Sequence, residues 1–441
     1  MFSLFMNAAK MKTLFQRELP ECMTGCLKLI DCQIQHPRYK TYLNPDSKHK
    51  SFFASSYLLR GVNKKTNTTK ETILYVKAYM GDRSGIEYDK ACAGLDVNIN
   101  YQQPLHIEKH GIIAWFFPYD PVLRWLPNLT SLDYMRNYFG TFLLVQGNES
   151  TCEVNDIALH IINYRPEIRC TFRYDVELGY GKFQTLYGKT FADEKGVEIH
   201  RHLSILYSNG SEDFSHFELP QPIGYDFAHR TLWMRGLQGR ALIKSLSEQN
   251  AALLVRQLAI NLSHFHNVEL TGLEVLSEAS QLLEIQKKAL KLQSAFPSLS
   301  TQIATLVADL VLQMKTLPVI PNKLIHGDFH VQQLMLLENN RIALFDFDEL
   351  AIANPLVDLA NFAADIYTLK LGKRLTHLIV RTLFDTYKTL SNFEISDTHF
   401  MWHVRIQLLT RAYRAFIQQK PDLYKIVEDY LKVAETGFIN N

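Results

Sequence analysis

The stretch LIHGDFHVQQLMLLENNRIALFDFDELAIANPLVDLANF, residues 324–362, constrains this chain more than any other part of it. Leu324 and Ile325 end an apolar strand, and the loop that follows presents His326, Asp328, His330 and Gln333. LMLLE and RIALFDFD then read as two strands joined by Asn339-Asn340, a dipeptide that tolerates the positive φ a tight hairpin requires. Closing that hairpin puts Asp328 and Asp346 in one cleft. A lone aspartate in a loop is usually a turn or capping residue, but oxygen donors gathered on one hairpin point to chemistry.

The rest of the chain is organised around that block. At 441 residues it exceeds one ordinary domain of roughly 100 to 200 residues, so two or three units are expected. Residues 50–230 read mainly as strands and hairpins, because runs such as ETILYVKAY and RCTFRYDVEL are rich in β-branched and aromatic residues. Residues 245–315 read as helices: SEQNAALLVRQLAINLSHFH and LSEASQLLEIQKKALKLQ carry apolar residues at helical steps, and helices resume from Leu356. LYVKAYMGDRSGIEYDKA at 74–91 resembles LYGKTFADEKGVEIHRHL at 186–203 once a residue is inserted in the second, aligning Lys77 with Lys189, Gly85 with Gly196 and Glu87 with Glu198. The match suggests a duplicated strand-turn-helix element.

A formal net charge of +2 gives no reason to expect a nucleic-acid or anionic-membrane partner. Cys22, Cys26, Cys32, Cys92, Cys152 and Cys170 contain no C-x-x-C pair, so neither a disulfide framework nor a cysteine-zinc site is expected. The apolar start MFSLFMNAAKMKTLF is broken by Asn7, Lys10 and Lys12, and no apolar run reaches the ~18 residues of a membrane span. A cytoplasmic chain is expected, in which N-x-S/T sequons such as Asn67 and Asn261 carry no meaning.

Phosphoryl transfer asks little covalent chemistry of a protein, but it needs an oriented acceptor hydroxyl and neutralised phosphate charge. A carboxylate at Asp328 suits the first task by accepting the hydroxyl proton, while Gln333 and Asp346 offer hard oxygen ligands to Mg2+. His326 and His330, four apart in a loop with no third His or Cys nearby, suit loop support better than metal ligation. HGDFHVQQ, followed by LFDFD and NPLVDLA, resembles the aminoglycoside phosphotransferase and choline kinase family, whose signature is H-G-D-x-H-x-x-N, then I-D-F-G or I-D-F-D, then D-P-x-x-D-L-A. The resemblance covers His326 through Ala360. It implies Asp328 as catalytic base, Asp346 as metal ligand and Asp358 as anchor of the catalytic loop, a place close to that of a helix N-terminal cap. Gln333 stands where the family has a metal-binding Asn, and Asn354 where it has Asp. With Asp348 closing the second motif, Gln333 points to a Gln-containing branch.

The resemblance also implies a bilobal, protein-kinase-like α+β fold that uses ATP and Mg2+. Its expected parts are an N-terminal α/β accessory region at 1–145, a β-rich small lobe at 146–238, and a helical large lobe with the catalytic loop at 239–441. Lys189 would hold the α- and β-phosphates with Glu198 of the next helix, and the adenine would sit near Trp233, Met234, Arg235 and Gly236. Lys77 and Glu87 are the rival pair, but no hinge-like segment follows them. INYRPEIRCTFRY at 162–174 takes the place of the phosphate-covering loop without a glycine, leaving Arg165 or Arg169 as basic help. GYGKF at 179–183 reads as a hairpin turn. The accessory region is similar in arrangement to the cap of maltokinase-like members. The acceptor implied is a small-molecule hydroxyl, on a sugar, amino alcohol or aminoglycoside-like compound, since no A-P-E-like segment follows Asp346. The competing class is a catalytically inactive kinase-like binding or scaffolding protein, which Mg2+-dependent ATP binding would separate from an enzyme.

Overall fold

The strand RCTFRYDVEL shows how the β-rich half is built. Cys170, Phe172, Tyr174, Val176 and Leu178 are buried and the residues between them are half-buried, the period of two that a covered sheet face requires. In the computed structural model, residues 4–40, 51–80, 83–93, 102–145, 153–208 and 216–436 are described. The chain divides into two units: Met1–Gly196 with Tyr225–Trp233 and Phe416–Pro421, and Val197–Gly224 with Met234–Ala415 and Asp422–Asn441. The boundary expected at 145/146 falls against residues 146–152, outside the described residues, as does Cys152. The other five cysteines are free thiols.

One sheet consists of β1 (Leu27–Lys40), β2 (Phe52–Asn63), β3 (Thr69–Ala78), β4 (Leu105–Ile107) and β5 (Ile112–Phe116), in the order β1-β2-β3-β5-β4. Helix Ala8–Glu18 lays Met11, Leu14 and Phe15 into a core with Phe53, Tyr57, Leu74 and Val76. A second sheet consists of β6 (Val154–Arg165), β7 (Arg169–Leu178), β8 (Lys182–Phe191), β9 (Pro222–Asp226) and β10 (Thr231–Arg235), in the order β6-β7-β8-β10-β9. Each sheet is a three-stranded meander, then a helix (Arg83–Ala93 or Lys195–Ser208), then two strands of which the later pairs with the third strand of the meander. The sequence repeat lies on β3 and its helix and on β8 and its helix, so the likeness of 74–91 to 186–203 extends to the whole strand order. GYGKF is the turn of the β7–β8 hairpin, with Leu178 opposite Lys182.

In the second unit, helices such as Ala251–His266, Glu278–Ala295, Leu356–Thr368 and Asp397–Ile417 accompany two small sheets. One contains β11 (Gly239–Ala241), β14 (Leu334–Leu337) and β15 (Ile342–Leu344); the other contains β12 (Val275–Leu276), β13 (Lys323–Ile325) and β16 (Ala351–Ala353). β14 and β15 pair from Leu334↔Leu344 to Leu336↔Ile342. Asn340 turns the hairpin at φ +62°, and Asn339 Oδ1 accepts the Arg341 amide at 3.0 Å. The architecture is α+β, sheet-rich towards the N-terminus and helical towards the C-terminus. Among the described residues no helix is long and apolar enough to cross a membrane.

Candidate active site

The loop after β13 is fixed mainly through its backbone. Gly327 sits at φ +80°, and a Cβ there would stand 2.0 Å from the Glu349 carbonyl oxygen, so only glycine fits. Asp358, fully buried in the first turn of helix Leu356–Thr368, accepts the His326 amide at 2.7 Å and the Gly327 amide at 2.9 Å. His266 Nε2 donates to the same carboxylate at 3.1 Å, while His266 Nδ1 accepts the Tyr387 hydroxyl at 2.7 Å. His326 Nε2 donates to the Phe345 carbonyl at 2.8 Å, tying the loop to the residue before Asp346. One helix turn pair further on, Asp365 accepts the Val331 amide at 3.1 Å and is itself held by Arg411 at 3.1 Å. Phe329 is fully buried, against Phe217 and Phe362, a burial worth about 1.5–3 kcal/mol.

What this scaffold holds up is a row of side chains linking two acids. Asp328 Oδ2 lies 3.5 Å from His330 Nε2; that nitrogen lies 3.3 Å from the Gln333 amide nitrogen, which donates to Asp346 Oδ2 at 3.1 Å. Burial pushes the Asp328 carboxyl up, but the hydrogen bond and charge of His330, helped by Arg414 and His326, hold it well below the usual carboxylate range. It is therefore ionised at neutral pH and can accept a proton. Asp346 takes a left-handed backbone conformation, φ +66° and ψ +67°, a strain that clusters at functional sites. Gln333 and Asp346 form a donor set that fits a hard divalent cation: half a turn of the amide replaces its nitrogen with Oε1 beside the carboxylate.

The β-rich residues expected to serve a nucleotide are placed as follows. Lys189 is buried on β8, its ammonium 5.5 Å from the centre of the Phe191 ring. Glu198 is 61% exposed and receives Arg201 of its own helix at 2.8 Å; its repeat counterpart Glu87 receives Lys90 at 3.1 Å. Trp233 is wholly buried, its ring filling the space a Cβ on Gly188 would take and its Nε1 donating to the Tyr138 hydroxyl at 3.0 Å. The indole is thus a core group, while Met234, Arg235 and Gly236 are half-buried and the Arg235 amide donates to the Gln221 carbonyl at 2.9 Å. Lys77 pairs with Glu167 at the tip of the glycine-free β6–β7 turn, and Glu167 also accepts the Tyr75 hydroxyl at 2.7 Å.

Sequence reasoning did not single out His266, Asp365, Arg411 or Arg414. Asp365 had a signal, since it lies seven residues after Asp358 in a helix buried on every side from Leu356 to Ile366. A carboxylate in such a helix needs a partner.

Residues 191–391 match the model of APH, the phosphotransferase enzyme family. No curated protein matches the chain. Among solved structures, the chain is similar to aminoglycoside phosphotransferase APH(4)-Ia in ternary complex with ADP and hygromycin B, at 15% identity, 70% of this chain, 98% of that chain and a TM-score of 0.48. It is also similar to spectinomycin phosphotransferase APH(9)-Ia with ADP and spectinomycin, at 12% identity, 64% and 93% coverage, and a TM-score of 0.43.

Proposed function

We propose that this chain, residues 191–391 of which match the model of the phosphotransferase enzyme family, moves the γ-phosphoryl group of ATP to a hydroxyl of a small molecule. The observation that carries this reading is the unbroken row Asp328, His330, Gln333, Asp346, each step within 3.5 Å, on a loop held by Asp358. Asp328 is the base: its Oδ accepts the proton of the acceptor hydroxyl as that oxygen bonds to the γ-phosphorus, while the bond from that phosphorus to the β–γ bridging oxygen breaks and ADP leaves. His330 keeps the carboxylate charged and aimed. Asp358 and His326 keep the loop in place by taking up its amides and by gripping the Phe345 carbonyl. Gln333 Oε1 and Asp346 would hold Mg2+, which when bound neutralises phosphate charge.

In this reading Lys189 is the phosphate-facing cation, assisted by Glu198, and the 233–236 segment receives the adenine, with 146–238 as small lobe, 239–441 as large lobe and 1–145 as accessory region. The acceptor belongs to the sugars, amino alcohols or aminoglycoside-like compounds. The free thiols suit a reducing cytoplasm. The test is nucleotide binding. Wild type should show a Mg2+-dependent thermal shift with ATP, and Asp346→Ala should lose it; a wild type that ignores Mg-ATP would instead support a scaffold.

A further inference from the structure

Away from the catalytic loop, Glu278, His399 and His403 converge on one point. Glu278 is the first residue of helix Glu278–Ala295, whereas His399 and His403, four apart, share a face of helix Asp397–Ile417. Both imidazoles are essentially inaccessible and the Glu278 side chain is 30% exposed. His399 Nε2 lies 2.9 Å from Glu278 Oε1 and His403 Nε2 lies 3.6 Å from it, with all three donor atoms within 4.8 Å of one another. Two features are hard to explain as ordinary packing. His403 Nε2 is buried with no hydrogen-bond partner, although it points at the carboxylate. Asn354, the residue that departs from the family's Asp, turns its Nδ2 to Glu278 Oε1 at 2.7 Å while its Oδ1 caps the Leu356 amide at 3.0 Å.

We propose that Glu278, His399 and His403 form a binding site for a borderline divalent cation of the Zn2+ type, with a water as fourth ligand on the exposed Glu278 side. Donors about 2.0 Å from a tetrahedral ion stand about 3.3 Å apart, and the observed 2.9 and 3.6 Å bracket that spacing. Two imidazoles and one carboxylate select such an ion over Mg2+, which prefers oxygen. Each Nε2 would give its lone pair to the ion, so any proton there leaves as the ion binds. Asn354 Nδ2 reaches both Glu278 Oε1, at 2.7 Å, and His399 Nε2, at 3.2 Å, and so orients two of the donor atoms. The ion ties two helices to the segment four residues before Asp358, so its role is to stiffen the support of the catalytic loop, separately from the oxygen site at Gln333 and Asp346.

The experiment uses the full chain stripped with a chelator and titrated with Zn2+ or Co2+. The expected result is one ion per chain, visible Co2+ absorption of a low-coordinate site and a higher thermal midpoint with Zn2+. His403→Gln and Glu278→Gln should lose both signals, Asn354→Ala should weaken binding about 10- to 100-fold, and Asp346→Asn should leave it unchanged. Glu278→Gln, at a half-exposed position, decides the matter if His403→Gln fails to fold. The proposal is overturned if wild type gives neither Co2+ absorption nor a Zn2+ shift, which would make the cluster an ion pair only, or if Glu278→Gln retains both.

Discussion

Replacing Asp358 by Asn isolates the support of the catalytic loop, because the side chain keeps its size and loses only charge and one acceptor. Oδ2 takes the His326 amide and His266, and Oδ1 takes the Gly327 amide. Whichever way the Asn side chain turns, its NH2 faces a buried backbone N–H, donor against donor. The change removes a bond to a charged acceptor, worth about 1.5–3 kcal/mol, and strands a buried amide, costing a further ~1–3 kcal/mol. A loss of about 2.5–6 kcal/mol follows, a large part of the roughly 5–15 kcal/mol that holds ordinary domains folded. Urea unfolding reads it as a lower midpoint at unchanged slope. A shift below about 0.5 kcal/mol, the level of an inconsequential surface change, would refute the assignment of Asp358 as anchor.

Gln333→Asn should keep partial activity, because an amide oxygen survives on a shorter arm; activity equal to wild type across Mg2+ concentrations would remove Gln333 from the metal site. Asp328 has a folded pKa below its unfolded one, so its contribution to stability is present above the unfolded value of about 3.9 and is lost as pH falls through the folded value. His330→Gln should therefore raise the Asp328 pKa towards the ordinary range, which carboxylate NMR titration reads directly; an unmoved titration would discount His330. Lys189→Ala should weaken ATP turnover strongly, while Lys77→Ala should cost stability alone by freeing Glu167; the reverse pattern would move the nucleotide site to the first sheet.

What the sequence disclosed and what it withheld divide along physical lines. The β14–β15 hairpin was legible from Asn339-Asn340 and the flanking apolar runs, and β7 from its alternation. The repeat was legible because Lys77 and Lys189 share local surroundings on strand-turn-helix elements. Contacts across long separations were not. Nothing in the spacing tells that His266 reaches Asp358, that Arg411 reaches Asp365, or that Glu278 meets His399, since each pair comes together only after helices far apart in the chain dock. Trp233 illustrates the same limit at short range. Its position on the expected hinge strand was readable, but the burial of its ring over Gly188 depends on the neighbouring strand.

Whether Asp328 takes a proton from an acceptor hydroxyl during phosphoryl transfer is measured directly by ADP release from wild type and Asp328→Asn over a panel of sugars, amino alcohols and aminoglycosides. Wild type should show acceptor-dependent release, and Asp328→Asn should lose about 10²- to 10⁴-fold of it at nearly unchanged ATP affinity. Undiminished acceptor-dependent release by Asp328→Asn would contradict that role.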